Sequence, residues 1–278
     1  MVPPIHSPFM LMPAQAGGQG PLVFASPHSG QYLPQDMRAD PTLDTASVNS
    51  ACDVSVDQFL GRAPKTGVPL LTGQISRAYV DLNRAPHEID PQLISDAPTD
   101  LAVSSKTRAG YGVVPRLSGL GQPLYDRALT LAEVQARLDS VHTPYHQTLS
   151  QLMHQTRAQT GRAILIDWHS MPGRVTGVTG ADVIVGDRYG SSCSVEVTRC
   201  LRGLFEGLGW RVGLNHPYAG GYSTQVWGRP DEGFEAIQIE LSRKLYWDEA
   251  KGQAGAGWGR CQSGLNRVIA GVIEGFGP

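Results

Sequence analysis

The feature that most constrains the fold is the alternation of short apolar segments with longer helical patterns along the chain. The apolar segments are bounded by Gly, Pro and Asp, which is typical of strands in a buried sheet. Strands are predicted at 22–26, 68–71, 75–82, 163–167, 181–187, 210–215 and 234–241, and helices at 44–61, from 130 onward, at 192–208 and at 260–275. This alternation predicts an α/β fold, a three-layer sandwich around a mixed, largely parallel sheet.

The composition is that of an ordinary globular protein and excludes several classes of partner. The chain has 278 residues and a net charge of −2 without a basic block, so neither nucleic acid nor an anionic membrane is an expected partner. No apolar run in the sequence approaches the roughly 20 residues that span a bilayer, and the N-terminus lacks a signal-peptide pattern. We expect one cytoplasmic domain over 1–278 with an irregular lead-in at 1–20, and the sequence leaves the oligomeric state open.

The chain has four cysteines, and their spacing argues against a thiolate metal site. Cys52, Cys193, Cys200 and Cys261 form no C-x-x-C pair. We expect them to be reduced, with Cys52 and Cys200 acting as small apolar core residues.

The first helical pattern, at 44–61, carries two aspartates four residues apart. Asp44 is a plausible N-cap, because its carboxylate can accept a hydrogen bond from the first helical turn. Asp53 and Asp57 would then project from one flank of this helix.

The second long helix begins with a capping box, T-L-A-E at 130–133. Pro144 is expected to kink this helix. His142 and His146 have the spacing of helical metal ligands, but the glutamate of an H-E-x-x-H pattern is missing, so a metal pair is not expected there. Before this helix, residues 85–128 are rich in Pro, Gly and Asp, which is typical of a functional loop region.

Polar side chains collect where the predicted strands end, which is the edge at which open α/β sheets bind ligands. These residues are His28, Asp81, Asn83, Arg84, Asp167, His169, Asp187 and Glu240. The imidazoles of His28 and His169 are preferred nitrogen ligands of zinc, and a catalytic zinc takes three protein ligands and keeps one position for water. A carboxylate is expected as the third ligand, with Asp53 as the first choice and Asp57 as the alternative.

Hydrolysis at such a site also needs a proton carrier and a way to hold the substrate. Glu240, at the end of a predicted buried strand, suits the transfer of a proton from water to a leaving amine. Arginines lie near the predicted strand ends or in the long loop: Arg77, Arg84, Arg108 and Arg243. Because the guanidinium fork binds carboxylates in pairs of hydrogen bonds, these arginines predict a small anionic substrate with one or two carboxylates.

A series of motifs runs in order through nearly the whole chain beyond residue 20. They are SPHSGQYLP at 26–34, CDVSVDQFL at 52–60, AYVDLNRAPHEIDP at 78–91, RAGYGVV at 108–114, YHQTL at 145–149, ILIDWHSMP at 164–172, DVIVGDRYGSSC at 182–193, NHPYAGGYSTQ at 215–225 and IQIELSRKLY at 237–246. In this order they resemble the N-formylglutamate amidohydrolase family. The resemblance implies a zinc-dependent amidohydrolase that converts N-formyl-L-glutamate to glutamate and formate during histidine catabolism.

The resemblance also implies roles for individual residues, because the family is similar to metallocarboxypeptidases and aspartoacylase and implies their fold. By this analogy His28, Asp53 and His169 bind one zinc ion, or another divalent first-row metal, and Glu240 is the base. The other implied roles are substrate binding by Asn83, Arg84, Arg243 and Tyr222 and stabilisation of the oxyanion by Arg108. The carboxypeptidase spacing would place the metal carboxylate at Gln31, a poor zinc ligand, so the third ligand must come from elsewhere.

Two alternatives to this function remain open from the sequence. The first is a zinc peptidase or deacylase that acts on a larger N-acyl or peptide substrate, with 85–128 widening or covering the site. The second is a binding or regulatory protein that keeps the fold without catalysis.

Overall fold

The computed structural model describes residues 7–15, 20–98 and 103–277. Seven strands form one sheet in the order β1-β3-β2-β4-β7-β5-β6, and two short strands pair separately. The strands are β1 (Phe9–Met12), β2 (Leu22–Ser26), β3 (Leu70–Gly73), β4 (Ala163–Met171), β5 (Val183–Gly186), β6 (Val212–Leu214), β7 (Phe234–Ser242), β8 (Trp247–Asp248) and β9 (Gln253–Ala254).

The helices lie between these strands, except for the last one, which follows β9. They are α1 (Thr45–Val48), α2 (Val56–Leu60), α3 (Ser105–Arg108), α4 (Leu131–Arg137), α5 (Thr143–Thr160), α6 (Gly173–Thr179), α7 (Val195–Glu206), α8 (Tyr222–Trp227) and α9 (Trp258–Phe276). The prediction of an α/β sandwich is confirmed.

The centre of the sheet is parallel, and one strand reverses direction. β2 pairs in parallel with β4 and β4 with β7, whereas β5 runs antiparallel to β7 and parallel to β6. The mixed, largely parallel sheet of the sequence prediction is therefore confirmed for these pairs. The register sets His169 beside Glu240 and Asp167 beside Gln238 on the adjacent strands.

The two faces of the sheet differ because side chains alternate along each strand. One face carries apolar residues such as Phe24, Trp168 and Ile239, which pack in one core with apolar side chains of α2, α7 and α9. The residues of β4 and β7 between these positions, including His169 and Glu240, point to the opposite face. The apolar face anchors the sheet, and the other face is available for polar chemistry.

The described chain divides into two compact units. One comprises 7–10, 27–54, 72–98 and 103–149 and contains α1, α3 and α4. The other comprises 11–15, 20–26, 55–71 and 150–277 and contains β2, β4 to β7 and the apolar core. The assignment of 1–278 to a single domain stays a prediction. Within the expected irregular lead-in, Phe9–Met12 forms a strand, while 1–6 and 16–19 lie outside the described residues.

The single helix predicted at 44–61 is wrong. Asp44 caps α1 as expected, since its side chain accepts a hydrogen bond from the Ser47 N–H at 2.7 Å. A 3₁₀ turn then leads to a break before α2, where the Asp53 N–H donates to the His28 carbonyl at 2.9 Å instead of continuing a helix. Ser55, with φ of 62°, completes the break. Asp53 and Asp57 therefore do not share one helical flank.

The strand predicted at 75–82 is also wrong. Ile75 makes an isolated bridge with Tyr32, and the chain then turns. The Ser76 carbonyl accepts from the Tyr79 N–H at 2.9 Å, and its hydroxyl accepts from the Ala78 N–H at 3.2 Å. Serine side chains compete in this way with ladder hydrogen bonds. Asp81 and the residues after it consequently lie in a loop and not at a strand end.

The helical region after residue 130 follows the prediction closely. The capping box is present, with Thr130 and Glu133 each accepting from the other's backbone N–H. A wide π-helical turn at 138–142 precedes Pro144, at the place where the kink is expected, and it gives the proline ring room.

No disulfide joins the four cysteines, all of which lie in the described part of the chain. Cys52, Cys193 and Cys261 are buried, whereas Cys200 is half-buried. Burial raises the pKa of Cys193 and of Cys261 to about 12. Among the described residues, no helix is both long enough and apolar enough to cross a bilayer.

Candidate metal centre

His28 follows β2 in a tight turn and is buried, at 1% exposure. Its Nε2 lies 2.7 Å from Asp81 Oδ1, and its Nδ1 lies 3.4 Å from Asp53 Oδ2. Because an ionised carboxylate only accepts hydrogen bonds, Nε2 carries the proton toward Asp81. Nδ1 is then the nitrogen that can bind a metal.

Asp81 is held in the ionised form that this arrangement needs. Burial raises the pKa of its carboxyl, but the charge of Arg77 and the hydrogen bond from His28 outweigh burial and hold it well below its usual range. The Arg77 guanidinium donates to Asp81 Oδ2 at 2.7 Å, and the Asn83 N–H donates to Oδ1 at 2.9 Å. A carboxylate behind an imidazole in this way fixes the tautomer and orientation of a metal-binding histidine.

His169 has a similar partner two residues earlier on β4. The strand continues past the predicted end at 167 to Met171, so Asp167 and His169 project from the same face. His169 Nε2 lies 3.0 Å from Asp167 Oδ2. Neither Asp167 oxygen has a well-directed hydrogen bond within the described part of the chain, so the contact is electrostatic.

His28, Asp53 and His169 are the predicted metal ligands, and the structure brings them together. Each offers one ligand atom, all of these atoms lie within 4.8 Å of one another, and all three residues are buried. Two ligand atoms of a tetrahedral zinc lie about 3.3 Å apart, because each arm is about 2.0–2.1 Å long. The 3.4 Å between His28 Nδ1 and Asp53 Oδ2 fits this spacing.

Asp57, the alternative third ligand, is not part of this group. It lies in the first turn of α2, where burial raises the pKa of its carboxyl. The break before α2 separates it from Asp53. The two-nitrogen, one-oxygen donor set therefore includes Asp53 and is typical of catalytic zinc.

Glu240 stands next to His169 in the register of β4 and β7, on the same face of the sheet. Gln238, two residues earlier, donates from Nε2 to Glu240 Oε1 at 2.7 Å and accepts the Gly221 N–H at 2.9 Å. Gln238 thus ties the carboxylate of Glu240 to the loop before α8. The sequence interpretation missed this role of Gln238. Two residues at positions i and i+2 of a strand project from the same face, so the spacing of Gln238 and Glu240 could have indicated it.

The predicted substrate-binding residues lie in different surroundings. Asn83 is buried, while Arg84 is half-buried and donates to the carbonyls of Tyr111 at 3.0 Å and Asn83 at 3.1 Å. Tyr222 is the first residue of α8 and half-buried, and burial raises its pKa. Arg108 ends α3 and is exposed.

Arg243 follows β7 and is buried, but its guanidinium already has partners. Its Nε donates to Ser170 Oγ at 3.3 Å, and one terminal nitrogen lies 3.7 Å from Glu249 Oε1. A substrate carboxylate would have to share this guanidinium with Glu249.

His142 and His146 contact carbonyl oxygens and lie outside the metal-ligand group. Their Nε2 atoms lie 2.9 Å from the Arg84 carbonyl and 2.8 Å from the Leu82 carbonyl. Burial lowers the pKa of His142, and it lowers that of His146 to about 3, so both are neutral near pH 7. Their contacts hold the loop that contains Asn83.

Comparison with known proteins gives a consistent result. A sequence profile of the family described as N-formylglutamate amidohydrolase matches residues 20–247. An N-formylglutamate deformylase of Pseudomonas aeruginosa is 30% identical over 243 residues, and one of Pseudomonas putida is 28% identical over 240 residues; each alignment covers 84% of both chains.

Solved structures agree with these relatives. The crystal structure of N-formylglutamate amidohydrolase from Ralstonia eutropha matches with a TM-score of 0.90 and 32% identity, covering 96% of this chain and 98% of that chain. A protein from Agrobacterium tumefaciens, at 17% identity and a TM-score of 0.67, shares the fold and covers 96% of both chains.

Proposed function

This chain belongs to the N-formylglutamate amidohydrolase family, and we propose that it hydrolyses the formyl amide of N-formyl-L-glutamate to glutamate and formate with the help of zinc. The observation that carries the proposal is the buried group of His28, Asp53 and His169 in a chain whose motifs match this family. A cytoplasmic location and a place in histidine catabolism belong to the same proposal.

The three residues of this group would hold the metal. Asp81 and Asp167 support that role, because each lies against the Nε2 atom of one of the two imidazoles. When bound, zinc would supply Lewis acidity, which polarises the scissile carbonyl and acidifies water. Another divalent first-row metal would suit the same donor set.

Glu240 would move the proton that hydrolysis requires. Its carboxylate would accept a proton from the attacking water and pass it to the amino group of the departing glutamate. Gln238 fixes one carboxylate oxygen by a hydrogen bond of 2.7 Å, so Glu240 is oriented before substrate arrives.

The substrate is small and carries two carboxylates, which matches the cationic and polar side chains around the loops. Asn83 and Arg84 would bind the α-carboxylate, and Tyr222 and Arg243 would also bind the substrate. Arg108 would stabilise the developing oxyanion. No partner macromolecule is needed for this reaction.

The test is to measure metal content and formate release on the same purified protein. We expect about one zinc per chain and release of formate from N-formyl-L-glutamate, with activity lost on chelation and restored by zinc. Acetylated amino acids and short peptides are assayed in parallel, because faster cleavage of these would favour the deacylase or peptidase alternative. Protein without metal and without turnover would refute the proposal.

A further inference from the structure

The GDRYG loop, residues 186–190, has an unusual backbone conformation with two consecutive positive φ angles at residues other than glycine. Arg188 has φ of 51° and Tyr189 has φ of 60°, so two consecutive residues with full side chains adopt the left-handed conformation. Residues other than glycine rarely do so, and such strain persists where the surroundings impose it, often at functional sites.

A network of hydrogen bonds imposes this conformation. Asn215 Oδ1 accepts from the N–H groups of Asp187 at 3.0 Å and Tyr189 at 3.2 Å. Asp187 Oδ1 in turn accepts from Asn215 Nδ2 at 2.7 Å and from the Gly190 N–H at 2.8 Å. Thr198 Oγ1 donates to Asp187 Oδ2 at 2.9 Å. Both carboxylate oxygens of Asp187 are therefore used within the protein, and Arg188 is the other charged side chain of the loop.

The side chain of Arg188 runs along the loop before α8, next to the residues that orient Glu240. Its N–H donates to the Ala219 carbonyl at 2.8 Å, and its Cγ lies 3.2 Å from the position that a Cβ would occupy on Gly220. Gly221, the next residue, donates to Gln238, which holds Glu240.

Arg188 is half-buried, and its charge has no acidic partner within the described residues. Two other half-buried arginines form ion pairs: Arg116 lies 2.9 Å from Asp90, and Arg77 lies 2.7 Å from Asp81. A guanidinium on a hydrogen-bonded loop, without a carboxylate partner among the described residues, is suited to bind a carboxylate from outside.

We infer that Arg188 binds the side-chain carboxylate of the N-acyl amino acid and thereby sets the preference for an acidic substrate. The inference rests on the proposed function. Arg243, which the family resemblance implies as a substrate-binding residue, already lies 3.7 Å from Glu249 Oε1, whereas no acidic side chain in the described part of the chain pairs with Arg188.

The test compares Arg188→Ala and Arg188→Lys with a control in the same loop, Tyr189→Ala. Tyr189 shares the left-handed backbone but is 80% exposed, so its variant reports the effect of disturbing the loop alone. With N-formylglutamate, we expect Arg188→Ala to raise KM by about tenfold to a hundredfold, the range for a lost hydrogen bond to a charged group, with a smaller change in kcat. Lysine should rescue part of the loss, because it keeps the charge but not the fork.

Two further ligands separate binding of the side-chain carboxylate from other effects: N-formylglutamine, which lacks that carboxylate, and L-glutamate, which has it but lacks the formyl group. Arg188→Ala should leave KM for N-formylglutamine within about threefold of wild type, and it should weaken binding of L-glutamate, measured by calorimetry, as strongly as it raises KM. Equal losses on both formyl substrates, or unchanged glutamate affinity, would overturn the inference. If wild type bound glutamate through Arg188 but released no formate, the proposed function alone would fail.

Discussion

Glu240 is the side chain whose substitution best separates metal binding from catalysis. We expect Glu240→Gln to keep the metal and the hydrogen bond from Gln238, since Gln retains an Oε1 acceptor. Turnover should fall by about 10²- to 10⁴-fold, the usual contribution of general acid–base catalysis. Metal analysis and initial rates of formate release on the same sample measure both effects.

Glu235→Gln is the matched control, because Glu235 lies on the same strand, is 5% exposed and accepts the Ser194 N–H at 2.7 Å. This variant should keep most of the activity. Turnover near wild type in Glu240→Gln would exclude Glu240 as the base.

His146 makes a pH-dependent contribution to stability. Its pKa is about 3 in the folded chain and near 6.5 when exposed, so the unfolded chain takes up the proton first as pH falls. The contribution is complete above pH 6.5 and is lost as pH falls toward 3. His146→Gln, which can still donate to the Leu82 carbonyl, should flatten the decline of Tm over this range.

The exposed His87 supplies the comparison for this measurement. His87→Gln should retain the wild-type decline of Tm with falling pH. An unchanged slope in His146→Gln would show that another group controls the acid sensitivity.

The residues of the metal group could be predicted from the sequence, but the residues behind them could not. His28 and His169 follow apolar segments, so their chemistry is readable from local pattern. The contact between His28 and Asp81 joins residues 53 positions apart, and that between Gln238 and Gly221 depends on how a loop folds. Neither is encoded in local periodicity.

The break between α1 and α2 shows why an element can be predicted in type and still be wrong in extent. Val48, Cys52 and Val56 fit a helical stripe, and all three are buried in the structure. The backbone of Asp53, however, bonds to His28 instead of to the preceding turn. A tertiary contact thus overrides the local preference and carries the carboxylate to the imidazole.

Ser55 closes this break, and its left-handed backbone can be tested. Ser55→Gly should leave the free energy of unfolding within about 0.5 kcal/mol of wild type, because glycine adopts φ of 62° without steric cost. Ser55→Val should cost about 1–2 kcal/mol, since a β-branched side chain tolerates the left-handed conformation much less well than serine does. Urea unfolding measures both.

Ser263→Val provides the reference, because Ser263 is exposed within the regular helix α9 and its replacement should be nearly neutral. Equal stability of Ser55→Val and Ser55→Gly would rule out backbone strain at this position.

Across the whole molecule, the metal group should couple binding to stability, because its three ligands are far apart in sequence and are assembled only in the folded chain. Free zinc at about 100 times Kd should add about 2.7 kcal/mol to the free energy of unfolding. Thermal unfolding with chelator and with added zinc measures this as a rise in Tm.

Two aspartate variants identify the carboxylate ligand. Asp53→Asn should lose most of the zinc-dependent rise in Tm, whereas Asp57→Asn should keep it. The reverse result would show that Asp57 supplies the ligand.

The overall architecture was predictable because strand and helix patterns alternate over long stretches. The antiparallel pairing of β5 with β7 could not be predicted in this way, because side chains alternate along a strand whether it runs parallel or antiparallel to its neighbour. This pairing also brings Gly186, two residues before Arg188, into register with Gln238.

The buried cysteines can report local or global unfolding of this protein, because a buried thiol reacts only when it becomes exposed. A thiol-directed reagent should modify Cys200 first in the native chain, because Cys200 is half-buried whereas Cys52, Cys193 and Cys261 are buried. Modification of the other three then requires local or global opening. Because Cys52 directly precedes Asp53, metal binding at Asp53 should slow the labelling of Cys52. Mass spectrometry can follow this labelling rate without any substrate.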